Sequence, residues 1–281
     1  MRGFKWALLA LGLSCCSAAV ALGVHVARAE PQSHGEAKSE EARPDAKSET
    51  KIKIAFVGDS TSDGLWGGMA ALAPREACLK SNVELGRFAR NSTGLTRPEK
   101  FNWVDEMKKI GEGFKPQLFV MSLGLNDRQS VVEHGKVTLE NAPDYPARYK
   151  ERVTAVLKSA AASNLMWVGL PAMREAAADR DAREKNKYFA EAVGEFAQSN
   201  PQQADMQYVE PWKLNGSGED KFASFGPDPK GKMIQIRASD GEHFTTAGDL
   251  LVAAYLLPKM VATLVKGGAK LGAACTGAPS E

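Results

Sequence analysis

Short apolar runs alternate with longer segments of helical periodicity along most of the chain. The apolar runs predict strands over 52–57, 83–89, 117–123, 165–170 and 206–209. The segments between and after them predict helices over about 64–80, 102–112, 144–162, 175–198 and 246–265. This alternation predicts an α/β domain with a parallel sheet covered on both faces, and it favours a flavodoxin-like three-layer α/β/α sandwich with five strands.

Two segments that contain glycine or proline, 128–142 and 211–237, interrupt the alternation. Ligands of open α/β sheets bind beyond the carboxyl ends of the strands. We therefore expect both insertions to overhang a binding site at that edge of the sheet.

The N-terminal part of the chain predicts export. A basic start, an uncharged apolar run over 6–26 and an Ala-Arg-Ala sequence predict a signal peptide over 1–29, and if uncleaved this run is long enough to anchor the protein in a membrane. Residues 30–50 are dense in Glu, Lys, Ser and Pro, which predicts a disordered, charged tether. The folded domain is then 51–266, followed by a flexible tail over 267–281. We expect a periplasmic or secreted monomer.

Charge and cysteine content exclude two classes of function. Loss of Arg2, Lys5 and Arg28 with the signal peptide leaves one basic residue fewer than the 34 acidic ones, so nucleic acid is not an expected partner. Cys78 and Cys275 lie in no CxxC or Cys/His cluster, so no metal site is predicted. The first and last helices of such a sandwich share one face and end near these cysteines, which predicts a disulfide between them in an exported protein.

Candidate chemistry lies in the turns that follow the strands. Ser60, in GDSTSDG, ends a strand and opens a helix, where a serine can be a nucleophile, contact a phosphate or cap the helix. A nucleophilic serine needs a base within hydrogen-bond reach. His243, in DGEH just before the last helix, is the best-placed histidine, and Asp240 can reach its other ring nitrogen through a tight turn.

Two further turns offer hydrogen-bond donors. The side-chain amide of Asn126, in LGLND, can donate to an oxyanion or form an Asx turn. Gly94, in NSTGL, can offer an unshielded backbone N–H or serve only as a turn glycine. The adjacent Asp127 is expected to tie this third turn to the first by hydrogen bonds.

Taken in order, GDS, NSTGL, GLND and DGEH resemble the four blocks of the SGNH (GDSL-type) hydrolases, and details around them resemble an uncharacterised exported bacterial branch. The resemblance implies a flavodoxin-like sandwich and a Ser60–His243–Asp240 triad. It also implies an oxyanion hole made of the backbone N–H groups of Ser60 and Gly94 and the side-chain amide of Asn126. No cofactor is expected.

Thr61 replaces the leucine of the GDSL name, a position that does no chemistry. The implied activity is that of a serine esterase that removes small acyl groups, acetyl above all, from a simple ester or an acylated cell-envelope polysaccharide. Polar insertions argue against a long-chain lipase. The same triad also suits a polysaccharide O-acyltransferase. Side chains beside the blocks that can contact an anionic glycan, or else anchor loops, are Trp66, Arg97, Arg128, Gln129, Arg174 and Arg237.

Two hypotheses of another class stay open. A flavodoxin-like protein would use the turn around Ser60 to hold the phosphate of FMN, but it gives Asp240 and His243 no task. A non-catalytic glycan-binding module would keep the fold and show no serine reactivity.

Overall fold

The computed structural model describes residues 51–160, 162–210 and 221–271. The predicted signal peptide and tether, residues 211–220 of the second insertion and most of the predicted tail lie outside the described residues. The main sheet contains β1 (Ile52–Gly58), β2 (Val83–Ala89), β3 (Leu118–Ser122), β6 (Asn164–Val168) and β7 (Met206–Val209). All neighbouring pairs are parallel, in the order β2-β1-β3-β6-β7, which confirms the predicted α/β sandwich with five strands.

Three of these strands have almost uninterrupted burial. All residues of β3 and β6 are buried, as are all but one of β1, because helices cover both faces of the sheet. Strand β2, at the edge, has no fully buried residue. The three strands with nearly continuous burial, β1, β3 and β6, thus form the centre of the sheet.

In the described part of the chain, five α-helices cover the two faces. They are α1 (Ser60–Leu72), α2 (Trp103–Gly113), α3 (Tyr145–Ser159), α4 (Ala176–Ser199) and α5 (Thr246–Lys266). Helices α1 and α5 pack with Ile54 and Phe56 of β1 in one core, and α2, α3 and α4 pack with Ala55 and Val57 in the other. Alternate residues of one strand therefore serve opposite cores.

The first helix differs most from its predicted bounds. It begins at Ser60 rather than near 64, because the Asp59 side chain accepts the Thr61 N–H and caps the helix. It ends at Leu72 rather than near 80, because Pro74 lies in the short 3₁₀ turn Ala73–Arg75 that follows. The nucleophile candidate therefore lies on the first turn of the helix itself.

Each predicted insertion contains a small antiparallel hairpin that the sequence did not predict. Strands β4 (Val131–Glu133) and β5 (Lys136–Thr138) form one, and β8 (Phe225–Pro227) and β9 (Met233–Gln235) form the other. Each strand has three residues, too few to show a periodicity.

Helix α5 is the one helix of the described ranges that is long and apolar enough to cross a membrane, with 21 residues and a mean hydropathy of 1.5. Its apolar side, which includes Val252, Leu256 and Met260, is buried against α1 and the sheet. The apolar composition of α5 is therefore explained by its packing in the core.

The predicted disulfide stays a prediction. Cys78 is half-buried after the 3₁₀ turn and packs against the core shared by α1 and α5. Cys275 lies outside the described residues.

Gly68 sets the distance between α1 and α5. A Cβ atom added at Gly68 would lie 2.2 Å from the backbone oxygen of Asp249, whereas one added at Gly67 would meet nothing within 4 Å. We expect Gly68→Ala to lower the free energy of unfolding by about 1–3 kcal/mol, because the helices must separate. The control Gly67→Ala should raise it by up to about 1 kcal/mol through helix propensity. Urea titration of both variants tests this, and equal stabilities would contradict it.

Candidate active site

The turns after the first three strands lie side by side. Gly58, at the end of β1, pairs with Ala89 of β2 on one side and Ser122 of β3 on the other. Parallel strands place all their carboxyl ends at one edge, so the segments that carry Ser60, Gly94 and Asn126 meet there.

A buried carboxylate, that of Asp59, joins the first of these turns to the third. Its Oδ1 accepts hydrogen bonds from the Thr61 N–H at 2.9 Å and the Thr61 hydroxyl at 2.7 Å. Its Oδ2 accepts the N–H groups of Gly124 and Leu125 at 3.0 and 3.1 Å. Burial raises the pKa of Asp59 to about 6, although the hydrogen bonds from Thr61 and Gly124 lower it. The turns around Ser60 and Asn126 thus share one anchor.

Asp127 joins the third turn to the second. From the sequence we expected it to join the third turn to the first, and that expectation is wrong. Its carboxylate accepts the N–H groups of Leu95 and Thr96, the Thr96 hydroxyl and the Tyr149 hydroxyl, at 2.8 to 3.0 Å. A Cβ added at Gly94 would lie 2.0 Å from Asp127 Oδ1. The Asp127 carboxylate therefore leaves no space for a side chain at position 94, so a glycine is required there.

The three predicted oxyanion donors belong to these joined turns. The Asn126 amide donates to the backbone oxygen of Thr93 at 2.9 Å, which leaves its second N–H for another acceptor. The Ser60 N–H belongs to the first turn of α1, at the positive end of the helix dipole. Gly94 lies between Thr93 and the segment that Asp127 holds.

Ser60, His243 and Asp240 form one hydrogen-bonded chain. The Ser60 Oγ lies 2.7 Å from His243 Nε2, and His243 Nδ1 lies 2.9 Å from Asp240 Oδ2. The other Asp240 oxygen accepts the N–H groups of Glu242 and His243 at 2.8 and 3.0 Å. Partial burial raises the pKa of Asp240, but these backbone N–H groups and the His243 ring lower it to about 2. An ionised Asp240 fixes the tautomer in which His243 can take the Ser60 proton.

Arginine side chains hold the loop that carries His243. The Arg237 guanidinium is buried and donates to the backbone oxygens of Ala172 at 2.6 Å, Glu242 at 2.8 Å and His243 at 3.2 Å. Burial lowers its pKa to about 10. Arg174 donates to the Ser239 oxygen at 2.8 Å. These contacts favour, for Arg237, the loop-anchoring role that the sequence left open beside a contact with substrate.

The other predicted substrate-binding residues are spread around the site. Trp66 packs against the core with the Arg87 guanidinium 5.0 Å from its ring centroid. Arg97 pairs with Glu99 at 2.5 Å. Gln129 donates to the Asn126 backbone oxygen at 2.9 Å.

Arg128 pairs with a residue of the candidate site. Its guanidinium is 3.4 Å from the carboxylate of Glu242, which lines a cavity beside Ser60 and His243. Arg128 is 44% exposed, so it can also contact a ligand from solvent.

The cavity beside the serine is small and mostly apolar. It has a volume of about 60 Å³ and lies between the first turns of α1 and α5, with Leu65, Val168, Pro171 and Val252 in its wall. Drug-sized ligands occupy about 300–1,000 Å³. The cavity therefore fits a group of a few atoms and not a flavin ring.

The site also contains two carboxylates that sequence reasoning missed. Asp59 was read only as part of the GDS motif, although a carboxylate at a buried strand end signals a structural anchor. Asp249 lines the cavity from the first turn of α5. An acidic residue at that position is ordinarily explained by the helix dipole, so the sequence carries no signal for its role. Among the described residues, no cluster of His, Cys, Asp or Glu is suited to hold a metal ion.

The fold and the site define an α/β sandwich with a hydrogen-bonded Ser–His–Asp chain at the carboxyl edge of its sheet, in agreement with the SGNH resemblance. A family model described as "Protein of unknown function (DUF459)" matches residues 53–259. The chain therefore belongs to the DUF459 family. No curated protein sequence matches it.

Several solved structures are similar. TesA is 17% identical with a TM-score of 0.47, covering 76% of this chain and 99% of its own. The acetyl xylan esterase AlAXEase is 18% identical with a TM-score of 0.47, covering 74% and 99%. The periplasmic domain of a lipopolysaccharide acetyltransferase from Salmonella ser. Paratyphi A is 15% identical with a TM-score of 0.49, covering 76% and 85%. Similarity at this level does not bear on function.

The Asp127 anchor generates a prediction that separates stability from site geometry. We expect Asp127→Asn to lower the free energy of unfolding by about 1–3 kcal/mol and also to lower ester hydrolysis, because donors to the carboxylate lose their partner and Gly94 is released. Tyr149→Phe removes a single donor and should cost about 1 kcal/mol with little effect on hydrolysis. Urea titration and initial rates on an aryl acetate measure both. Full activity in Asp127→Asn would contradict a positioning role.

Proposed function

We propose that this protein is a serine esterase that cleaves short acyl esters through an acyl-enzyme on Ser60. The observation that carries the proposal is the position of the Ser60 hydroxyl, which is hydrogen-bonded to His243 Nε2 and also lines the small cavity. An acyl group bonded to Ser60 can therefore extend into the cavity while its carbonyl oxygen faces the joined turns.

The chemistry follows from the geometry. The Ser60 Oγ attacks the ester carbonyl as His243 Nε2 takes its proton, and the developing oxyanion accepts hydrogen bonds from the N–H groups of Ser60 and Gly94 and the amide of Asn126. The carbon–oxygen bond to the alcohol then breaks, and His243 gives the proton to that oxygen. Water repeats the sequence and releases the carboxylic acid. Asp240 stabilises the imidazolium throughout.

The substrate we propose is an acylated cell-envelope polysaccharide. The predicted signal segment would place the domain outside the cytoplasm, with the tether giving it reach if the N-terminus stays in the membrane. The cavity volume of about 60 Å³ favours acetyl and groups of similar size. Arg128, which is partly exposed and paired with Glu242 of the cavity wall, is suited to an anionic sugar.

One prediction of the esterase proposal concerns the nucleophile. Ser60→Ala should lower kcat for an aryl acetate by about 10⁴-fold or more and abolish labelling by a fluorophosphonate probe. Asp240→Asn should leave small residual activity, because it disturbs the tautomer of His243 without removing the base.

The matched control is Ser62→Ala, on the same helix, where the buried hydroxyl has no hydrogen-bond partner in the structure described. This variant should keep full activity. Undiminished hydrolysis in Ser60→Ala would overturn the esterase proposal. Transfer of the acyl group to added oligosaccharide in preference to water would replace hydrolase with acyltransferase.

Another prediction of the same proposal concerns acyl length. We expect kcat/KM on p-nitrophenyl esters to fall beyond about four carbons, because the cavity is far smaller than the 300–1,000 Å³ that holds larger ligands. A series from two to twelve carbons measures this. A rise toward the long esters would contradict the proposed small acyl group.

A further inference from the structure

One carboxylate in the cavity has no role in the chemistry described above. Asp249 is partly buried on the first turn of α5, lines the same cavity as Ser60, and its side chain has no hydrogen bond or ion pair within the described residues. Burial raises its pKa to about 6, while His243 lowers it and Asp63 raises it. A carboxylate withdrawn from water without a partner is costly, so its position calls for an explanation.

The neighbouring carboxylates differ from Asp249 in this respect. Glu242 pairs with Arg128 at 3.4 Å, and Asp63 pairs with Arg87 at 2.6 Å. His243 cannot donate to Asp249, because its two ring nitrogens already face Ser60 and Asp240. Asp249 is thus the unpaired negative group of this cavity in the described part of the chain.

The geometry sets Asp249 about one helical turn from the nucleophile. A Cβ added at Gly64 would lie 2.5 Å from Asp249 Oδ1, so the carboxylate lies directly against the bare backbone of α1 at this position. Gly64 follows Ser60 by four residues, which places it on the same face of α1 and about 6 Å along the axis. A substituent on the α-carbon of an acyl group lies three bonds from the Ser60 Oγ, and a hydrogen bond adds about 2.9 Å. The three covalent bonds and the hydrogen bond are together long enough to span the helical turn from Ser60 to Gly64.

We propose that Asp249 binds a positively charged ammonium group on the α-carbon of a short acyl group, so that the preferred substrates are aminoacyl esters. This inference rests on the proposed esterase function and narrows its substrate. The ammonium would give Asp249 its missing partner, and charge-assisted hydrogen bonds are the strong ones. The absence of any other cation paired with Asp249 among the described residues leaves that position to the substrate.

The test compares three ethyl esters whose acyl groups have nearly the same size. Glycine ethyl ester carries the ammonium, ethyl glycolate carries a neutral hydroxyl, and ethyl propionate carries a methyl group at the same place. Ethanol release by the full-length mature protein is followed by NMR, and each kcat/KM is divided by the rate of hydroxide hydrolysis of that ester. We expect the glycyl ester to be preferred over the other two.

Asp249→Asn should lower kcat/KM for the glycyl ester by about 10- to 100-fold, as a lost hydrogen bond to a charged group predicts. The propionyl ester should change by less than about threefold, since the substitution is nearly isosteric. The control Asp63→Asn removes a nearby negative charge that does not line the cavity and should keep the glycyl preference. Thermal unfolding of both variants checks the fold.

The outcomes separate the inference from the function on which it rests. Equal rates on glycyl and propionyl esters in the wild type, or a glycolyl ester preferred over the glycyl ester, would overturn ammonium recognition and leave the esterase intact. An equal loss on all three esters in Asp249→Asn would show that Asp249 acts through His243 or the fold, which also overturns it. Failure of the wild type to hydrolyse any of the three would overturn the esterase proposal together with this inference.

Discussion

The hydrogen bonds of the buried Asp59 carboxylate are the interaction on which the arrangement of the site depends. One oxygen holds the first turn of α1, and the other holds the backbone that follows β3. Ser60 is the next residue along the chain, and Asn126 follows that backbone directly. A carboxylate with no cation beside it is tolerated in the interior because its donors replace the water it has lost. The nucleophile candidate and a candidate oxyanion donor are therefore positioned by one group.

The remaining parts of the site are held by charges of both signs, each matched to the backbone group it contacts. Asp127 accepts the N–H groups of the second turn, whereas the buried Arg237 donates to carbonyl oxygens around His243. These ties join segments far apart in sequence whose turns have no regular structure of their own. The Ser60–His243 hydrogen bond then connects the turns that Asp59 and Asp127 join to the loop that Arg237 holds. The precision of the site comes from these ties as much as from the sheet beneath it.

The parts of the molecule that were predicted from sequence are those with a local signal. Strands β1, β3 and β6 are buried on both faces, so each is an apolar run, and Ser60, Asp240 and His243 lie in short motifs at strand or helix ends. The hairpins in the insertions are too short for a periodicity to appear. The tie made by Asp127 and the position of Asp249 depend on how loops meet in space, which no local pattern records. The sequence left Arg237 open between anchoring a loop and contacting a substrate, because a buried arginine and a ligand-binding arginine look the same in sequence.

The glycines of α1 restrict how this site can change by mutation. At Gly64 and Gly68 the helix lies directly against the side chain and the backbone of Asp249. At Gly68 both helices meet through main chain, which trimming a side chain cannot widen, so more room at this point would require α5 to move as a body. His243 precedes that helix by three residues and would move with it. A wider gap between α1 and α5 and an intact Ser60–His243 hydrogen bond are thus opposed, and single substitutions that separate the helices at Gly68 should impair that hydrogen bond.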